Sequence, residues 1–139
     1  MPTHLRIARP VTQLARSVAM YRQGLGLQEI GAFADHAGFD GVMLGFAGDD
    51  DAGFHFEFTH CRAQAVAPTP TVEDLIVLYL PDAAEWQRTG ENLLGAGFAA
   101  VASFNPWWER GGRTYADADG YRTVLCNAAW RPLGEGAAP

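Results

Sequence analysis

Apolar and polar positions change period several times along the chain, and each change marks an element. From Leu5 to Arg9 the side chains alternate, with His4, Arg6 and Ala8 on one face and Leu5, Ile7 and Arg9 on the other, until Pro10 closes the run. That pattern predicts a strand. Leu14, Ala15, Val18 and Tyr21 then put apolar side chains at helical spacing, which predicts a helix from about Gln13 to Gln23, N-capped by Thr12 and C-capped by Gly24. Leu25-Gly26-Leu27 leads into a second strand through Ile30 and Phe33. Phe39 to Phe46 alternates as a third, closed by Ala47 and a turn at Gly48-Asp49-Asp50-Asp51. In the fourth strand, Phe54 to Thr59, three Phe residues share one face while His55, Glu57 and Thr59 share the other. An all-Phe face buries itself against the helix, which turns His55 and Glu57 to the opposite side of the sheet.

After a Pro-containing stretch from Arg62 to Thr71 the same order restarts. Leu75 to Leu80 is an apolar strand, Asp82 caps a helix over Ala84 to Leu94, and Gly95-Ala96-Gly97-Phe98 leads to another strand. Gly111-Gly112 turns into a strand near Arg113 to Asp117, and Tyr121 to Cys126 is the eighth. A single offset of 71 superposes Pro10 on Pro81, Gly24 on Gly95, Gly26 on Gly97 and Leu27 on Phe98. By Gly53 and Gly120 the offset is 67, so the second half has a shorter loop between its middle strands. The expected fold class is α+β: one domain over 1–139, with two βαβββ modules in tandem at about 4–60 and 74–128 and a linker at 61–73. Its eight strands form a half-barrel cleft with the helices outside.

Composition narrows the function more by exclusion than by indication. The chain is 48% hydrophobic and 19% charged with a net charge of −6, which suits a globular protein and leaves no basic stripe for nucleic acid. No apolar run reaches membrane-spanning length and no signal peptide pattern opens the chain, so a cytoplasmic protein is expected, with Cys61 and Cys126 as free thiols.

Leu14-Ala15-Arg16-Ser17-Val18-Ala19-Met20-Tyr21, the following Gly24-Leu25-Gly26-Leu27 and the late Asp117-Ala118-Asp119-Gly120-Tyr121 resemble the vicinal oxygen chelate superfamily of glyoxalase I, extradiol dioxygenases, fosfomycin-modifying enzymes and bleomycin resistance proteins. The resemblance covers nearly the whole chain and implies the fold more firmly than the chemistry. It also implies a divalent metal held by one ligand from the first and last strand of each module. Those positions fall on Arg6, or on His4 in a register shifted by two, on Glu57, on Val77 or Leu75, and on Val124. Only His4 and Glu57 among them have the donors the resemblance calls for. A member of the bleomycin-resistance kind is therefore expected, binding a small, partly apolar, charged molecule with no metal cofactor. The alternative is a divalent-metal-dependent lyase, isomerase or dioxygenase with His4 and Glu57 as ligands.

The candidate ligand-binding residues are His4, Arg6, His55, Glu57, Trp107, Trp108 and Arg122. Glu57 is either a base or cation-binding carboxylate, or the partner of Arg6 or Arg122 in an ion pair. His4 and His55 donate to a ligand or stay solvated on their strands. Arg122 holds a carboxylate or phosphate in a bidentate grip, or is a solvated strand charge. Of the adjacent Trp107 and Trp108, one is expected to line the cleft, a subunit interface or the end of the barrel, with Trp130 over a sheet edge. Val124, equivalent to Glu57 by the repeat, is expected to face it across one shared cavity. The expected assembly is a homodimer, with clefts built within one chain or across two.

Overall fold

In the computed structural model, which describes residues 2–46 and 53–132, Leu5–Pro10 forms β1 and Leu14–Leu25 forms α1. Three strands complete the first module: β2 (Leu27–His36), β3 (Phe39–Phe46) and β4 (Phe54–Cys61). The second module repeats the order with β5 (Leu75–Tyr79), α2 (Ala83–Gly95), β6 (Ala99–Val101), β7 (Gly112–Ala116) and β8 (Arg122–Cys126). A short 3₁₀ turn at Pro106–Glu109 interrupts it between β6 and β7. The two sheets have the orders β1-β4-β3-β2 and β5-β8-β7-β6, each with one parallel pair and two antiparallel pairs. The fold is thus α+β with two tandem βαβββ modules, as the alternation and the repeat predict. The expected turn at 48–51 and the expected fraying of 133–139 lie outside the described residues.

The repeat is a repeat of backbone requirements. Gly53 and Gly120, each one turn ahead of the last strand of its module, have φ of 72° and 89°, where a Cβ is strained. Gly41 and Gly112 still match at the offset of 71, opposite Thr59 and Cys126, which match at 67. The shortening therefore falls between the third and fourth strands, the two middle strands of each sheet.

Two helix caps differ from expectation. Gln13, not Thr12, stands at the N-cap of α1 and makes no side-chain cap bond. The Thr12 N–H instead donates to Asp119 Oδ2 at 3.1 Å, so a carboxylate from the second module serves the helix start, where negative charge is favoured. At the other end Gly24 is inside the helix, buried where α2 crosses, and a side chain there would strike Leu93. Gly26 is the C-cap, with φ of 72° and its N–H bonded to Arg22 O. In α2 the Asp82 carboxylate accepts from the Glu85 N–H at 2.8 Å, as expected of a cap.

One apolar core runs through both modules. Phe56 and Phe58 are buried against Tyr21, whose ring meets Phe58 at 4.8 Å and Phe98 of the second module at 5.2 Å, both edge-on. The helices pack on one another, and Leu93, Tyr115 and Leu125 close the core from the second side. Polar contacts lock the same junction. Tyr21 OH donates to Asp117 Oδ2 at 2.7 Å, while Asp117 Oδ1 accepts the N–H groups of Asp119 and Tyr121, and Tyr121 OH donates to Pro10 O. Burial and the neighbouring carboxylate push the Tyr21 hydroxyl far above its ordinary pKa, and burial raises Asp117 as well. The buried Arg9 guanidinium lies 4.5 Å from the Tyr121 ring centroid. Because the modules meet through their helix sides, the opposite sheet faces remain outside this junction. No described helix is long and apolar enough to cross a membrane.

Candidate functional site

Strand alternation puts His4, Arg6, His55 and Glu57 on the outer face of the first sheet, and the parallel register of β1 and β4 sets Arg6 opposite His55 and Ala8 opposite Glu57. The side chains form one hydrogen-bonded chain. Arg6 Nη1 donates to Glu57 Oε2 at 2.9 Å, Arg6 Nε donates to His55 Nε2 at 2.9 Å, and His55 Nδ1 lies 2.6 Å from His4 Nε2. The guanidinium always carries its Nε proton, so His55 Nε2 must accept. The neutral imidazole then holds its proton on Nδ1 and donates to His4. Burial holds His55 below its ordinary pKa, with Arg6 and His4 adding to the effect and Glu57 opposing it. His4 and Arg6 each touch His55. The Glu57 partner is Arg6, not Arg122. The pair has its carboxylate mostly buried and its guanidinium half-exposed, leaving three guanidinium N–H donors free of these two bonds.

The corresponding face of the second sheet is built differently. Val77 and Val124 pair across β5 and β8, and Thr114 pairs with Val124 across β7. Val124 is fully buried, a correction to the expectation that it faces Glu57 across an open cavity. The reason is the 3₁₀ turn: the Trp108 backbone lies directly over Gly112, on the side where Val124 also approaches. Asn105 starts the turn by accepting the Trp107 N–H, and Pro106 fixes its first residue. Among the described residues Arg122 donates only to Ala102 O, at 3.3 Å, and to no member of the first-module cluster.

Trp107 and Trp108 are both partly buried and line a pocket of about 380 Å³ with Tyr79, Cys126 and Trp130. Trp130 is 63% exposed and forms a wall of this pocket together with Tyr79 of the edge strand β5. Arg110 and Arg131 also line it, and burial pushes the Cys126 thiol upward in pKa and so away from reactivity. Sequence reading missed Tyr79, Arg110 and Arg131. Arg110 had a signal, since it closes the turn that carries both Trp residues.

The donors at these positions do not match the metal that the resemblance implies. The Glu57 carboxylate is engaged by a guanidinium, and the positions on the second module are Val77 and Val124, which have no donor atoms. Among the described residues no three His, Cys, Asp or Glu side chains gather in a group able to hold a metal ion. This donor set does not fit a divalent metal site, which draws four or more ligands.

Comparison with known proteins gives the evolutionary setting. Models of the YycE-like N-terminal domain and the YycE-like C-terminal domain match residues 5–59 and 73–127. The chain is 41% identical over 124 residues to the uncharacterized protein YycE of Bacillus subtilis (strain 168), covering 89% of this chain and 87% of that one. A crystal structure of a Bacillus subtilis YycE protein of unknown function superposes with a TM-score of 0.82 at 38% identity, covering 98% of this chain and 95% of that chain. The fosfomycin resistance protein FosX of Mesorhizobium loti has a TM-score of 0.69 at 11% identity over 93% of this chain and 94% of its own. Leishmania major glyoxalase I has a TM-score of 0.66 at 18% identity over 92% and 86%. At such identities these last two share the fold alone.

Proposed function

This chain belongs to the YycE-like family, and from that premise we propose that it binds a small, partly apolar, charged molecule on its outer sheet faces without a metal ion, in the manner of bleomycin resistance proteins. The observation that carries the reading is the Arg6–Glu57 pair at 2.9 Å. A guanidinium stands where a metal-bearing site needs a free carboxylate, and a ligand meets a charged cluster already organised by hydrogen bonds. His4 and His55 add polar contacts beside Arg6, while Trp107 and Trp108 supply the apolar surface. Arg122 adds a cation to the second face.

The reading includes a homodimer in which the polar face of one chain closes against the aromatic face of another. What supports this is the helix-to-helix junction within the chain, which leaves both faces uncovered by each other. Sedimentation at micromolar concentration is expected to give twice the monomer mass, and a monomer counts against the dimer.

The second reading is a divalent-metal-dependent lyase, isomerase or dioxygenase, favoured by one observation: His4, His55 and Glu57 share a face. Metal analysis separates the two. Protein purified from metal-replete medium is expected to carry far less than about one divalent ion per chain. A stoichiometric ion that is lost on Glu57→Ala overturns the metal-independent reading.

A further inference from the structure

The pocket at the Trp107-Trp108 turn has features that fix the sign and shape of a ligand. Tyr79, Trp107, Trp108 and Trp130 give it four aromatic side chains in about 380 Å³, a volume at the lower end of small-molecule sites. Flat walls of this kind favour a planar apolar body. An aromatic cage alone also suits a cation, so the charged residues decide. The charged side chains lining the pocket are Arg110 and Arg131, and no carboxylate lines it among the described residues. The one acid of the turn, Glu109, is turned away, its Oε1 accepting the Ser103 N–H at 2.7 Å. Arg110 stands beside the Trp107 ring, with Cζ 5.4 Å from the centroid, so a ligand cation there meets two like charges, Arg110 and Arg131. The protein as a whole carries −6 and has no lysine, which makes two arginines at one aromatic pocket a local reversal of its charge.

We propose that this pocket binds a planar aromatic carboxylate, its ring against the Trp107 and Trp108 side chains and its carboxylate held by Arg110 and Arg131. The proposal rests on the reading that these faces take a small, partly apolar, charged molecule, and it supplies the sign of the charge and the shape of the apolar part.

Calorimetric titration of the full chain with naphthoate and with naphthylmethylammonium, at matched low salt, tests it. Naphthoate is expected to bind and the ammonium compound to bind at least tenfold more weakly or not at all. Arg110→Met and Arg131→Met are each expected to weaken naphthoate about tenfold, since a charge-assisted contact is lost. Arg88→Met, on the exposed side of α2, is expected to change nothing, and unchanged thermal midpoints for all three variants exclude misfolding as the cause. Equal or tighter binding of the ammonium compound overturns the proposal but leaves small-molecule binding standing, as does naphthoate binding that is indifferent to both arginines. If neither probe binds, the proposal fails, while the reading beneath it is decided separately by the metal analysis at the Arg6–Glu57 face.

Discussion

The two modules share a strand order and diverge at the same place, the outer face of the sheet. In the first, β2 and β3 are long, 10 and 8 residues, and join through a tight turn at Ala37-Gly38, so the face stays open and displays His4, Arg6, His55 and Glu57. In the second, β6 and β7 have only 3 and 5 residues. The chain thereby released, from Ala102 to Gly111, folds into the 3₁₀ turn and lies on the face. At the two equivalent positions, Glu57 keeps its carboxylate at the edge of solvent beside Arg6, while Val124 is sealed. A duplicated fold has thus been divided into a polar half and an aromatic half by trading strand for turn within one connection. Chemistry on such a scaffold is set less by the strand residue itself than by what the neighbouring connection does to its exposure.

Exchanging the residues at the two equivalent positions tests this most severely. Val124→Glu places a carboxylate where exposure is 0% and no cation faces it in the described contacts, and it is expected to cost about 4 kcal/mol. The reverse change, Glu57→Val, removes the mostly buried carboxylate and leaves a half-exposed Arg6 that can turn to water, and is expected to stay within about 1 kcal/mol of the parent. Urea unfolding of both variants checks the asymmetry. Similar costs for the two would show that the faces are equally open and would sink the comparison.

A smaller effect is expected at Gly41 and Gly112, which are equivalent and face the same way. A methyl group on Gly112 runs into the carbonyl oxygen of Trp108, and backbone held by a turn has little room to give. On Gly41 the obstacle is the Phe33 ring, which can swing aside. Gly112→Ala is expected to cost about 3 kcal/mol and Gly41→Ala about 1 kcal/mol. Only Gly112→Ala should also shift the fluorescence of the Trp turn. An unchanged tryptophan spectrum in Gly112→Ala would mean that the turn does not rest on the sheet.

Much of this was legible in the sequence where backbone geometry dictates residue type. The turn glycines before β4 and β8 betray the duplication because few other residues tolerate positive φ. Strand alternation assigns His4, Arg6, His55 and Glu57 to one face, since a period of two leaves no other choice. What stayed hidden depends on chain segments far apart. The start of α1 is served by Asp119 of the other module, so no local pattern near Thr12 reveals it. Gly24 looks like the C-cap of α1 until the crossing of α2 shows that it serves packing and that Gly26, two positions on, is the cap. The adjacent Trp107 and Trp108 stand out in the sequence, but the turn that carries them, its landing on β7 and with it the burial of Val124 follow from the missing side chain at Gly112.

The smallest expected effect concerns protons on the open face, and it tests whether the first module is organised as a chain of donors or as four separate side chains. His55 is held below its ordinary pKa first by burial, then by Arg6 and His4, with Glu57 pulling the other way. A histidine whose folded pKa lies below its unfolded value of about 6.5 resists the proton that the unfolded chain accepts. Stability is therefore expected to decline slightly as pH falls from neutral through about 6.5, and to level off once the folded His55 is also protonated. Nitrogen shifts in an NMR titration should place the His55 proton on Nδ1, because Arg6 Nε donates to Nε2 at 2.9 Å. Arg6→Met should raise the His55 midpoint by removing a like charge and should free the tautomer, whereas Glu57→Gln should lower it further by removing the one opposing influence. If both variants leave the midpoint and the tautomer of His55 where they were, the cluster is not coupled, and the contrast between a polar network and an aromatic face reduces to composition alone.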